Sequence, residues 1–139
     1  MDGFQHFHDA QRRDLDRALA ELRAGRKRTH WVWYVFPQLA ALGRSDTAKR
    51  YGIRDAGHAR AFLADGVLAG NLVAAFEALL GNRGATAEAV LGGVDAMKVR
   101  SSATLWAAVG ANTAAGRAGA AVLDAFYDGA RDERTLELL

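Results

Sequence analysis

The scarcity of proline is the feature that most limits how this sequence can fold. The chain of 139 residues contains one proline, Pro37, so long stretches on either side of it are free to form helix. Apolar residues recur at helical spacing along these stretches, and strand-like alternation is absent outside one aromatic segment. We therefore expect an all-α fold with more than half of the residues in helices. The chain length predicts one compact multihelical domain over residues 1–139.

Capping residues and glycines predict where the helices begin and end. A first helix is expected from Phe4 to Arg23, where Gly25 stops it. The clearest amphipathic pattern predicts a core helix from Leu68 to Leu80. Another long helix is expected to run from Asp95, as its N-cap, through Val109. Shorter helices are predicted after Ser45, Asp55 and Thr86, over about 117–127, and after Asp132.

The aromatic block at residues 29–38 reads THWVWYVFPQ. Thr29 is a candidate cap for a short helix that Pro37 would end near Phe36, and a strand is the competing interpretation. Its flat side chains with polar tips suit stacking on a base or a sugar, although core packing explains such a block equally well. The candidate binding residues here are His30, Trp31, Trp33 and Gln38.

Polar residues interrupt the apolar side of the helix predicted after Asp95. Val94 and Met97 are expected on its apolar face, with Ser101 inside that face and Lys98 beside it. In one interpretation, Asp95 caps the helix and pairs with Lys98, while the serines bond to the preceding turn. In the other, the lysine and the hydroxyls face an anionic ligand or a polar cavity.

A nucleophile made of serine and lysine is a further alternative for this helix. Lys98 and Ser102 are four positions apart, so their side chains can touch on one side of a helix. A buried lysine can act as a base when its pKa falls. The sequence lacks a Gly-x-Ser-x-Gly elbow, and whether the protein is an enzyme stays open.

Gln11 lies in the middle of the apolar stripe of the first helix, between Phe7 and Leu15. A buried amide without a partner costs about 1–3 kcal/mol. We therefore expect its amide to be bonded, either in a structural network or in a binding site.

Composition excludes several classes of function. The net charge of +2, from 18 basic and 16 acidic residues, is too small to predict nucleic-acid binding. The sequence has no cysteine, and His6 and His8 do not share a helix face, so we expect neither a metal site nor a cofactor. The longest apolar run, Trp31 to Phe36, is far below the roughly 20 residues that span a bilayer. Without a signal-like start, the expected location is the cytoplasm.

Several segments together carry a family resemblance. They are GRK at 25–27, HWVWYVFPQ at 30–38, LGRS at 42–45 and GVDAMKVRSSATL at 93–105. These segments resemble the bacterial domain-of-unknown-function family 1810, whose members are sometimes labelled calpastatin-like, and the resemblance runs from about Phe7 to Trp106. It implies an all-helical fold and no established activity. This chain departs from the pattern at Asp65-Gly66, where relatives tend to carry His-Pro.

The first functional hypothesis is a polar pocket where the aromatic block meets residues 98–104. Its ligand would be a small anion, most plausibly nucleotide-like, stacked on Trp31 or Trp33 and paired with Lys98 or Arg100. The candidate ligand-binding residues are Gln11, His30, Trp31, Trp33, Gln38, Lys98, Arg100, Ser101 and Ser102.

The second hypothesis is a non-enzymatic domain for protein interaction or self-association, such as a homodimer. It rests on the small residues from Ala111 to Ala121, together with Gly110, Gly116 and Gly119. Such residues permit close helix approach between chains, and they equally permit tight packing within one chain.

Overall fold

The computed structural model describes residues 3–139 and is 71% helical. The all-α prediction is confirmed, since this part of the chain has nine helices and no strand. The helices are α1 (Gln5–Arg23), α2 (Val32–Val35), α3 (Asp46–Arg50), α4 (Ala56–Ala64), α5 (Gly66–Leu80), α6 (Ala87–Leu91), α7 (Gly93–Val109), α8 (Ala114–Tyr127) and α9 (Glu133–Leu138).

Side-chain caps set most of the helix starts. The side chains of the four predicted short-helix caps accept the expected backbone N–H bonds, namely those of Ser45, Asp55, Thr86 and Asp132. The prediction for α8 was three residues late, because the side chain of Thr113 accepts from the N–H of Gly116 and starts the helix at Ala114.

Two predicted caps are wrong. Asp95 lies in the first turn of α7 rather than at its cap, because the helix begins at Gly93 after Gly92, which turns with φ +83. Thr29 does not cap α2, whose N-cap is Trp31 without a side-chain bond. The competing strand interpretation of the aromatic block is also wrong, since Val32–Val35 is helical and ends just before Pro37.

The core lies where α5 and α7 pack with α1, α2, α4 and α8. Aromatic rings join these helices: Phe62 of α4 lies 5.0 Å from Trp106 of α7, and Phe36 lies 5.2 Å from Phe76 of α5, between ring centroids. The indole N–H of Trp106 donates to the carbonyl of Pro37 at 3.2 Å. Contacts in the core therefore hold the aromatic block against α5 and α7.

Small residues bring α7 and α8 into close contact. A Cβ added to Gly116 would lie 1.8 Å from the carbonyl oxygen of Gly110, and one added to Gly119 would lie 2.9 Å from that of Ala103. Neither position has room for a side chain. The glycines on which the self-association hypothesis rests are thus used for packing within the chain.

Within the described residues, no single helix has the length and apolar character needed to cross a membrane. One bent pair, α4 with α5 at 96°, meets those criteria when taken together. Phe62, Leu72 and Phe76 of this pair are buried in the core.

Candidate functional site

Glu21 fixes the loop that connects α1 to α2. Its Oε1 accepts hydrogen bonds from the N–H of Arg28 at 2.7 Å, the N–H of Thr29 at 3.0 Å and the indole N–H of Trp31 at 2.9 Å. Its Oε2 accepts from the Thr29 hydroxyl at 2.7 Å. Burial raises the pKa of Glu21, but these hydrogen bonds outweigh burial and lower it to about 2. The loop is therefore held by a carboxylate that is charged at neutral pH.

Trp31 belongs to this structural arrangement and not to an open surface. Its side chain is fully buried, and the ammonium of Lys27 lies 5.1 Å from the centre of its ring. The expectation that a ligand stacks on Trp31 is therefore wrong, because its indole is already enclosed and bonded to Glu21.

Asp95 lies between two lysines that are held very differently. Lys27 Nζ is 2.7 Å from one Asp95 oxygen, and its side chain is only 6% exposed. Lys98 Nζ is 3.8 Å from the other oxygen, its side chain is 29% exposed, and it lies 5.1 Å from the centre of the Trp33 ring. The Asp95 charge is thus matched mainly by Lys27. Lys98 keeps a positive charge that is only loosely paired.

A cavity of about 490 Å³ opens beside these lysines, between the α1–α2 loop and the start of α7. We call it the His30 cavity. It is lined by Lys27, Arg28, His30, Trp33, Asp95 and Lys98, together with residues 91–94. The structure thus brings three of the predicted binding residues to one cavity, although 68 positions separate His30 from Lys98. Basic side chains outnumber acidic ones there, so the cavity is electropositive.

A second cavity, of about 500 Å³, lies on the other side of Lys98. We call it the Arg44 cavity. Its lining includes Gln38, Leu42, Arg44, Met97, Ser101 and Arg134, and it shares Val94 and Lys98 with the His30 cavity. The hydroxyl of Ser101 faces it while donating to the carbonyl of Met97 at 3.2 Å. The predicted residues Gln38 and Ser101 therefore lie in this cavity and not with His30.

The apolar face predicted for α7 is partly wrong. Val94 is 69% exposed and Met97 is 73% exposed, whereas Ala96 and Val99 are buried. Because α7 begins at Gly93 and packs on α8 through small residues, its buried side is turned away from Val94 and Met97. The two apolar side chains lie instead on the outer surface at the Arg44 cavity.

Gln11 is buried and bonded, as predicted. Its Nε2 donates to the carbonyl of Tyr34 at 2.8 Å, and its Oε1 accepts from the side chain of Asn71 at 2.8 Å. It lines a separate cavity of about 450 Å³ with His8 and Arg12. Gln11 is therefore a link between α1, α2 and α5, apart from the cavities at Lys98.

Arg100 and Ser102 lie outside both cavities. The guanidinium of Arg100 donates to the carbonyls of Ala130 at 2.8 Å and Arg131 at 2.9 Å, and the structure does not place Arg100 with Lys98 in a cavity, where its pairing with a ligand was expected. Ser102 is fully buried, and its hydroxyl has no hydrogen-bond partner among the described residues. A nucleophile pair of Ser102 with Lys98 is not formed, because Ser102 faces the interior.

The family match agrees with the sequence resemblance. The family described as "Protein of unknown function (DUF1810)" matches residues 1–139. The chain belongs to the DUF1810 family. A crystal structure of the conserved hypothetical protein Rv1873 from Mycobacterium tuberculosis has the same fold, with a TM-score of 0.91 and 39% sequence identity over 98% of this DUF1810 chain and 95% of that chain. No curated protein matches the sequence.

Sequence reasoning missed several residues of this DUF1810 protein that shape the cavities. Glu21 was not singled out, and Lys27 was interpreted as part of a solvated basic run at the end of the first helix, as such runs usually are. Arg44 and Arg134 are 90 positions apart, so no spacing rule connects them. The segments GRK at 25–27 and LGRS at 42–45 were the available signals, since they belong to the family resemblance and contain Lys27 and Arg44. Among residues 3–139 no group of three histidine, aspartate or glutamate side chains is placed to hold a metal ion.

Proposed function

We propose that this DUF1810 protein binds a small anionic, nucleotide-like molecule in the His30 cavity. The observation that carries the proposal is the arrangement of Lys98. Its ammonium lies over the half-buried ring of Trp33 and lines an electropositive cavity, while Lys27 already matches the nearby carboxylate of Asp95. Lys98 is therefore the charge that an incoming anion meets.

The surroundings of Lys98 support an anion over a neutral ligand. Arg28 and His30 are exposed at the same cavity, and both add hydrogen-bond donors. The backbone at Gly92 and Gly93 also lines it, where α7 begins without a side-chain cap and the helix dipole favours negative charge. An added Cβ at either glycine would meet nothing within 4 Å, so a ligand can approach this backbone closely.

The aromatic part of the proposed ligand is supported by Trp33 and His30. Trp31 is enclosed, so Trp33 is the tryptophan that lines the cavity. A nucleotide presents a flat base and an anionic phosphate, which match a ring and an ammonium on one wall. A volume of about 490 Å³ falls in the range of small-molecule sites. The proposal concerns binding alone, since the candidate nucleophile Ser102 is buried outside the cavity.

The test is isothermal titration calorimetry with AMP, adenosine and inorganic phosphate. We expect AMP to bind most tightly, because it alone offers both the base and the phosphate. Lys98→Ala should weaken AMP binding about 10- to 100-fold, the range expected when one charge-assisted hydrogen bond is lost. It should affect adenosine much less, because adenosine carries no phosphate.

Lys49→Ala is the matched control. Lys49 is an exposed lysine of α3 that lines neither cavity, so its loss changes net charge equally without touching the site. Lack of AMP binding to the unmodified protein would overturn the proposal. The proposal would also be overturned if Lys98→Ala lowers the unfolding temperature but leaves AMP affinity unchanged, since Lys98 would then act only as an ion-pair partner of Asp95.

A further inference from the structure

Two arginines of the Arg44 cavity have no acidic partner. Arg44 follows the turn after α2, and Arg134 lies in the first half of α9. Both are exposed, and within residues 3–139 neither forms an ion pair. With Lys98, three basic side chains from distant parts of the chain line one cavity.

The acid in this cavity is already engaged. The carboxylate of Asp132 accepts a hydrogen bond from the N–H of Thr135 at 3.0 Å and another from the Thr135 hydroxyl, and so caps α9. The Ser101 Oγ lies 3.3 Å from the same oxygen. Three basic groups against one engaged acid leave the cavity with a positive balance.

Much of the remaining lining of the Arg44 cavity is apolar. Leu42, Ala48, Val94 and Met97 line the cavity. Val94 and Met97 are the most exposed large hydrophobic side chains in the described part of the chain, at 69% and 73%. Adjacent exposed apolar side chains beside a cavity mark a binding surface, and methionine adapts easily to different apolar shapes.

We propose that the Arg44 cavity is a second binding site, for a small apolar molecule that carries one carboxylate or similar anionic group. The apolar body packs on Leu42, Val94 and Met97, and the anionic group pairs with Arg44 and Arg134. A planar guanidinium binds a carboxylate through two parallel hydrogen bonds, which suits this group better than an ammonium does. The volume of about 500 Å³ accommodates a small molecule.

The probes are octanoate, which has an apolar chain and a carboxylate, with acetate and 1-octanol as partial matches. Calorimetric titration should show saturable octanoate binding. Acetate and 1-octanol should each bind at least about tenfold more weakly, because each lacks one of the two recognition elements. If octanoate and 1-octanol bind equally tightly, the carboxylate contributes nothing to binding and the proposal is wrong.

The variants separate this site from the His30 cavity. Arg44→Gln with Arg134→Gln should weaken octanoate at least about tenfold while leaving AMP affinity unchanged. Arg60→Gln, at an exposed arginine of α4 outside the cavity, is the charge control and should change neither. Met97→Ser should also weaken octanoate without lowering stability, because this side chain is already exposed.

The outcomes distinguish this inference from the proposed function. Octanoate binding without AMP binding leaves the second site standing and removes the first. AMP binding without octanoate binding overturns the second site alone. If the double arginine variant weakens AMP as much as octanoate, the two cavities form one site and the inference is wrong.

Discussion

Glu21→Gln should destabilise the protein through the loop that carries Lys27 and His30. The substitution keeps the shape of the side chain and removes its charge, so the bonds from the loop become neutral and weaker. The fall of the Glu21 pKa from its ordinary value of 4.5 to about 2 corresponds to roughly 3 kcal/mol. The loop lies at the surface, where solvent screens charges, so we expect about 2 kcal/mol at neutral pH.

The pH dependence gives the sharper test. The pKa of Glu21 is lower in the folded protein, so its stabilisation is fully present above pH 4.5 and is lost as the pH falls towards 2. The difference in unfolding free energy between the original protein and Glu21→Gln should therefore be largest at pH 7 and close to zero near pH 2. Urea denaturation followed by circular dichroism at pH 7, 4 and 2.5 measures it.

Other acids also titrate in this range, but they are common to both proteins and cancel in the difference. Glu77→Gln is the control, because Glu77 is exposed on α5 and its carboxylate accepts no hydrogen bond from residues 3–139. Its effect should stay small at every pH. A Glu21→Gln penalty that is equally large at pH 7 and pH 2.5 would refute the reasoning, since the loss would then come from packing and not from charge.

Further substitutions test the packing. Gln11→Leu should cost about 1–3 kcal/mol in urea denaturation, because it removes the partner of the half-buried amide of Asn71 and of the carbonyl of Tyr34; an unchanged midpoint would contradict this. Gly116→Ala should cost about 3 kcal/mol or more, since its Cβ meets the backbone of α7's end at 1.8 Å. Gly70→Ala lies in a helix with open space around it and should instead stabilise the protein by about 0.5–1 kcal/mol. If thermal melting shows Gly116→Ala to be as stable as Gly70→Ala, the packing argument is refuted.

Local signals predicted most of the fold because helix starts depend on nearby residues. A cap such as Ser45 or Asp55 bonds to an N–H three residues away, so the sequence contains the whole interaction. Asp95 was wrongly predicted as the cap of α7 because that prediction, too, considered only nearby residues. It has the right chemistry for a cap, but the positive φ of Gly92 lets the chain turn earlier and start α7 at Gly93.

The site was predictable only in part because its geometry depends on long-range packing. Lys98 stood out by its place beside an apolar face, and the structure puts it with His30 and Trp33 at one cavity. The sequence could not separate Trp31 from Trp33, because the distinction is made by Glu21, ten residues before the first of them. Nor could it tell that α8 would cover one side of α7 and leave Met97 exposed.

Because Lys98 lines both cavities, its ammonium adds to the positive charge that each proposed ligand meets. An anion that draws it towards the His30 cavity withdraws it from the Arg44 cavity, so each ligand raises the dissociation constant of the other. Thermodynamic linkage makes this antagonism symmetric, and the factor by which AMP weakens octanoate must equal the factor by which octanoate weakens AMP. One lysine at the start of α7 would then let the level of one metabolite set the occupancy of another, without any movement of the helices.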